Sequence, residues 1–258
     1  MAARRFDTET LLKQLLEHRD DAFKALYDRY RGRVYRFIVR QCGNGEEGEA
    51  AYIAIWAHLI HARHACKDEK SLKLAFLRSL RRPSLNPLLK TSMVLPHTLM
   101  PKELEQEGGW STLLVEMVRR LPEGLRKRFL FRYEIGLSLK AIATVFEEDG
   151  STTRAHLGEA ERILTEGLVN AGWKRSRSLG SLYQETRLLK PPISWDQEVL
   201  LSYPDWLNDG VPESLLKLTQ KAGSRNRISN MKALFKKAVN QLRAEIASKT
   251  QQRRQTGS

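Results

Sequence analysis

Apolar side chains recur every three or four positions along most of this chain, and alternation at period two is nearly absent. Over residues 22–41, AFKALYDRYRGRVYRFIVRQ, the apolar set is Phe23, Leu26, Tyr27, Tyr30, Val34, Phe37 and Ile38. These steps draw one stripe on a helix, and Lys24, Asp28, Arg29, Arg33, Arg36 and Arg40 lie off it. The turn-rich GNGEE at 43–47 separates this helix from a second, GEAAYIAIWAHLIHARHAC. A third is predicted over 69–82, EKSLKLAFLRSLRR, ended by Pro83. After residues 83–110, rich in Pro and Gly, the helical period returns with STLLVEMVRRL and then PEGLRKRFLFRYEIG, where Pro122 suits the first turn. Gly136 stops that helix, and Ser138 is a fitting cap for SLKAIATVF. EEDG then forms a turn before another helix, GSTTRAHLGEAERILTEGL. Leu157, Ala160, Leu164 and Leu168 define its buried side, with Thr153 also inward. The fold class that follows is all-α.

Past Gly172, RSRSLGS and KPPISWD read as loops, with Trp195, Tyr203 and Trp206 as aromatic anchors. Pro212 opens a short helix, PESLLKLTQKAG. Beyond it, ISNMKALFKKAVNQLRAEI places Met231, Leu234, Phe235, Ala238, Val239, Leu242 and Ile246 on one face. The terminal SKTQQRRQTGS is polar and is expected to be disordered. The resulting division is a helical domain over 1–82, a linker over 83–110, a second helical domain over 111–170 and a C-terminal extension over 171–258.

Charge alters this picture. Lys and Arg total 44 against 30 Asp and Glu, a formal charge of +14, so a polyanion is the first partner to consider. Residues 171–258 hold +9 of it, with 16 basic and 7 acidic side chains. Residues 111–170, by contrast, are neutral, with nine of each sign. Cys42 and Cys66 are the two cysteines, too few for a disulfide framework and in keeping with a reducing, cytoplasmic setting. No apolar run is long enough to span a bilayer, and Arg4-Arg5 is not followed by the apolar core of an export signal.

Two blocks, in order, resemble the sigma-70 family of bacterial transcription initiation factors, in its short extracytoplasmic-function form. AFKALYDRYRGRVYRFIVRQCGNGEEGE is similar to the opening helices of that family's region two. LPEGLRKRFLFRYEIGLSLKAIATVFEEDGSTTRAHLGEAERIL is similar to its region four, through the helix-turn-helix. The resemblance covers about residues 1–170 and does not extend to the rest. It implies a protein that grips core RNA polymerase and melts the minus-ten element with region two. Region four would place its second helix in the major groove of the minus-thirty-five element. An anti-sigma factor or another regulator is a further partner that such a protein would have.

On the second helix the outward positions are Thr152, Arg154, Ala155, His156, Glu159 and Arg162, the candidates for base-edge and phosphate contacts. The family commonly has Ser, Arg and Arg where this chain has Ala155, His156 and Glu159. Glutamate accepts from cytosine but repels phosphate, so two readings stand: a promoter reader, or a three-helix packing unit that keeps its shape. In the region-two-like block, Ala50, Ile53 and Ala54 stand where the family shows Asp, Gln and Glu on its polymerase-gripping surface, with Trp56 beside them. They form either an apolar partner contact or a more deeply buried helix. Lys70, Lys73, Arg78, Arg81 and Arg82 fit a nucleic-acid backbone or a solvated basic face.

His58, His61, His64 and Cys66 spread around a helix rather than converge, so no metal is expected there. No phosphate-binding loop, catalytic carboxylate pair, nucleophile motif or dinucleotide loop is present, so neither an enzyme nor a cofactor is expected. In the extension, Arg225, Arg227, Lys232, Lys236, Lys237 and Arg243 accompany the last amphipathic helix. That helix suits DNA or RNA, an acidic protein groove, or an anionic membrane surface. The function expected is a sigma-like initiation factor on core polymerase and promoter DNA; the alternative is an adaptor that binds a protein partner without reading promoters.

Overall fold

A computed structural model of the chain describes residues 7–43, 45–81, 109–188 and 190–218. Every regular element among them is helical, so the fold is all-α. The helices are α1 (Thr8–Leu16), α2 (Asp20–Cys42), α3 (Glu46–Arg63), α4 (Glu69–Arg81), α5 (Gly109–Arg120) and α6 (Glu123–Leu130). They continue with α7 (Leu139–Phe146), α8 (Gly150–Asn170), α9 (Leu179–Gln184), α10 (Ile193–Asn208) and α11 (Glu213–Leu218). A π-helical turn, Phe131–Ile135, extends α6, and a 3₁₀ turn, Glu185–Leu188, extends α9. Among the described residues no helix is long and apolar enough to cross a membrane.

The chain forms two compact units that alternate along the sequence. The first contains Met1–Arg31, Gly43–Pro83 and Pro191–Ser258; the second contains Gly32–Cys42 and Ser84–Lys190. The long helix α2 therefore contributes its first half to one unit and its second half to the other.

In the first unit the centre is α3. It is apolar around nearly its whole circumference, the pattern of a helix enclosed by neighbours. Here α4, α10 and α11 supply that enclosure. Its alanines, Ala50, Ala51, Ala54 and Ala57, favour the helix and keep its surface shallow. Gly48 is needed for close approach, since a Cβ there would lie 2.0 Å from the Gly43 carbonyl oxygen. Around α3, Trp56 meets Tyr27 edge-on at 4.8 Å, Phe23 stacks on Tyr203 at 4.8 Å, and Tyr52 lies 5.7 Å from Trp195. The cluster needs partners for its hydroxyls, because a buried unpaired one costs about 1–3 kcal/mol. Asp196, at the start of α10, supplies them: it accepts from the Tyr27 and Tyr52 hydroxyls and pairs with Arg31. Burial pushes both phenols well above the usual tyrosine range.

Helix α10 corrects the loop reading of KPPISWD. Its buried residues Trp195, Val199, Ser202 and Trp206 recur at steps of four, three and four. Pro204 lies inside it and lacks the N–H that an ordinary helical position donates. Likewise Ser178, within the other stretch read as a loop, caps α9 by accepting from Ser181 N at 3.1 Å.

The second unit is built on α8, which α5, α6 and α7 pack against. Leu114, Val118, Phe129, Leu130, Phe131, Ile142, Val145, Leu164 and Leu168 fill its core. Inside it, Glu134 of the π turn is fully buried and meets two guanidinium groups of α2: Arg36 at 2.8 Å, and Arg40. The Tyr183 hydroxyl donates to Glu134 at 3.3 Å, and Arg40 also reaches Tyr183 and the Thr186 hydroxyl, the latter at 2.7 Å. Arg126, likewise buried, donates to Gln41 and to the carbonyls of Arg119 and Leu121. Burial lowers its pKa to about 10. These bonds tie the second half of α2 and the α9 segment to α6.

Candidate nucleic-acid interface

The site begins with two stop signals and two caps. Gly136, at φ +84°, closes the π turn in the left-handed region that glycine enters without steric cost. Ser138 then caps α7 by accepting from Ala141 N at 3.2 Å. Three residues, Glu147 to Asp149, turn the chain from α7 into α8. Asp149 caps α8, accepting from Thr152 N at 2.7 Å, from the Thr152 hydroxyl at 2.6 Å and from the Ser151 hydroxyl. Those hydrogen bonds hold its carboxyl well below the usual range. The result is a helix, a tight turn and a second helix, with α8 half sunk into the unit.

The inward side of α8 is Thr153, Leu157, Ala160, Leu164 and Leu168, all buried, as the helical period places them. Thr153 satisfies its hydroxyl on Glu148 at 2.6 Å. Glu148 also receives a bidentate pair from Arg128, which holds it below the ordinary carboxylate range. The six outward candidates share the other side: Arg154, Ala155 and Arg162 are exposed, while Thr152, His156 and Glu159 are half-exposed.

Their charges are unequal in what they offer an anion. Arg162 is held by Glu159 at 2.7 and 2.8 Å and by Glu166 at 2.7 Å, so its charge is already balanced. Its pairing also pulls the Glu159 carboxyl down. His156 Nδ1 lies 3.9 Å from Glu148. The Thr152 hydroxyl is engaged by Asp149. Arg154 makes no hydrogen bond or ion pair with the described residues. It borders an open cleft of about 650 Å³ between α7 and the start of α8, lined also by Lys140, Thr144, Glu147 and Ser151. Lys140 and Thr144 belong to the first helix of the pair, so the outward positions of the second helix do not include them. The signal for them is the turn spacing, which brings the first helix of such a pair alongside the start of the second.

The remaining candidates lie elsewhere. Ala50, Ile53, Ala54 and Trp56 are all buried inside the first unit, where α10 and α11 pack on their helix. Lys70, Lys73, Arg78 and Arg81 lie on α4 within one sector of about 140°, Lys70 exposed and the others half-exposed. Arg82, and Arg225, Arg227, Lys232, Lys236, Lys237 and Arg243 of the extension, lie outside the described residues. Among the described residues, no group of three or more His, Cys, Asp and Glu side chains is placed to hold a metal ion. No protein-family model, no curated protein and no solved structure matches the chain.

Proposed function

We propose that this chain is a sigma-like transcription factor that meets duplex DNA through α7 and α8 and works with core RNA polymerase. The observation that carries the reading is the α7–turn–α8 unit. Its second helix is anchored by Leu157, Ala160, Leu164 and Leu168 and turns Arg154, Ala155 and His156 outward, with Arg154 and Lys140 lining one cleft. Backbone contacts from Lys140 and Arg154 would position the helix, and base edges would meet Ala155, His156 and Glu159. The two ordered sequence blocks add the expectation of polymerase and a promoter.

The reading makes a weak electrostatic grip part of the mechanism. With Arg162 balanced by two glutamates, about two cations are left to neutralise phosphates, and nonspecific affinity grows with that number. The sequence places compensating cations in the basic extension. One observation favours the second reading, a sigma-like adaptor for a protein partner other than core polymerase: Ala50, Ile53 and Ala54, which stand where the family has polymerase-facing polar groups, are buried inside the first unit.

Mixing the full chain with core polymerase and, separately, with labelled duplex DNA tests the proposal. Stable association with core and an affinity for duplex that drops on Arg154→Ala are expected. Association with core and no DNA binding selects an adaptor on polymerase; binding to neither overturns the sigma reading.

A further inference from the structure

Helix α10 has a second face that the first unit's core does not use. Ile193 and Leu201 are the most exposed large apolar side chains described, at 76% and 59%. At about 100° per residue they share a sector with Leu200, Pro204, Gln197 and Asn208, opposite Trp195, Val199, Ser202 and Trp206. Along one edge of that sector run Glu198, Asp205 and Asp209. Residues 191–218 carry five acids and one base, in a chain of charge +14.

We propose that the amphipathic segment 228–246 of this same chain, which lies outside the described residues, docks antiparallel on that outer face of α10. Two independent features fit. The segment's apolar stripe (Met231, Leu234, Phe235, Ala238, Val239, Leu242 and Ile246) has Lys232, Lys236 and Arg243 along one edge. When two right-handed helices face each other antiparallel, edges on the same rotational side of each stripe meet; in a parallel pair they would lie on opposite sides. The spacing also agrees. Asp209, Asp205 and Glu198 are separated by four and then seven residues, and so are Lys232, Lys236 and Arg243. One antiparallel register pairs Lys232 with Asp209, Lys236 with Asp205 and Arg243 with Glu198. That register sets Leu201 opposite Asn240, between Val239 and Leu242. Residues 219–227 join the last described residue of α11 to the segment, a stretch of up to about 30 Å if fully extended.

This docking spends the segment's apolar face on α10 and sets three of its cations against carboxylates, leaving Lys237 on the opposite side. It stands apart from the DNA reading, because its test follows the segment itself. Amide hydrogen exchange of residues 231–246 is measured in the full chain at low salt. Lys236→Glu and Asp205→Lys each accelerate exchange about two- to five-fold, the range for surface pairs, and combining them restores protection. Leu201→Asp, at an exposed position that the fold tolerates, accelerates it by a similar factor. Exchange in 231–246 that neither reversal nor Leu201→Asp changes overturns the docking. So does protection that appears only on raising protein concentration, which assigns the face to a second copy, or only on adding duplex DNA.

Discussion

Removing the Glu134 carboxylate should unbalance the buried ion cluster of the second unit. Glu134→Ala leaves Arg40, 1% exposed, and Arg36, 11% exposed, without the charge that balances them, and deprives Tyr183 of its acceptor. Breaking a buried pair from one side costs about 3–5 kcal/mol, because the remaining ions stay desolvated. The partial exposure of Arg36 and the Thr186 contacts of Arg40 place the expected loss near the lower end, about 3 kcal/mol. Chemical unfolding followed by circular dichroism measures it. The companion variant Arg40→Met should cost a similar amount alone, while the pair Arg40→Met with Glu134→Ala costs less than the sum, with coupling above about 1 kcal/mol. Additive losses, or a Glu134→Ala loss below about 1 kcal/mol, would refute the claim that this carboxylate ties α2 and the α9 segment to α6.

Other consequences follow from particular contacts. Glu159→Gln with Glu166→Gln frees Arg162 and should steepen the dependence of log duplex affinity on log salt by about 0.9; an unchanged slope places Arg162 away from phosphate. Trp206→Ala should cost about 3–5 kcal/mol of unfolding free energy, since Trp206 is 2% exposed in the first unit's core; a loss under 1 kcal/mol would separate α10 from that core. Glu148 has its pKa depressed by the Arg128 hydrogen bonds, so the unfolded chain binds its proton more readily than the folded one. Its stabilisation is present above about pH 4.5 and is lost as pH falls through the folded value. Stability of Glu148→Gln, measured by urea unfolding from pH 7 to pH 3, should be lower at pH 7 and fall less steeply in acid. Parallel curves contradict this.

The elements whose apolar positions are separated by polar ones were legible in the sequence. α8 is such a case: Thr153, Leu157, Ala160, Leu164 and Leu168 are the buried set that its spacing dictates, and Gly136 and Ser138 act as stop and cap. The Asp149 cap was less visible, because EEDG reads as a turn and the capping role depends on which carboxylate reaches Thr152 N. α3 has no polar face, so periodicity left open whether Ala50, Ile53 and Ala54 meet a partner or the chain itself; only the placement of α10 and α11 brings out the burial. α10 was hidden by Pro192 at its start and Pro204 inside it, although Trp195, Val199 and Trp206 carry helical spacing. The balance of charge on the candidate interface was half legible. Glu159 stood out as an acid, but the clamp on Arg162 needed Glu166 one turn further on.

The proposed function meets its most direct test in transcription from fragmented bacterial genomic DNA by core RNA polymerase, with and without the full chain, followed by mapping of transcript starts. The account predicts starts that depend on the chain, share an upstream sequence element and are lost with Arg154→Ala. Starts that are the same with and without the chain, or that survive Arg154→Ala unchanged, would contradict it.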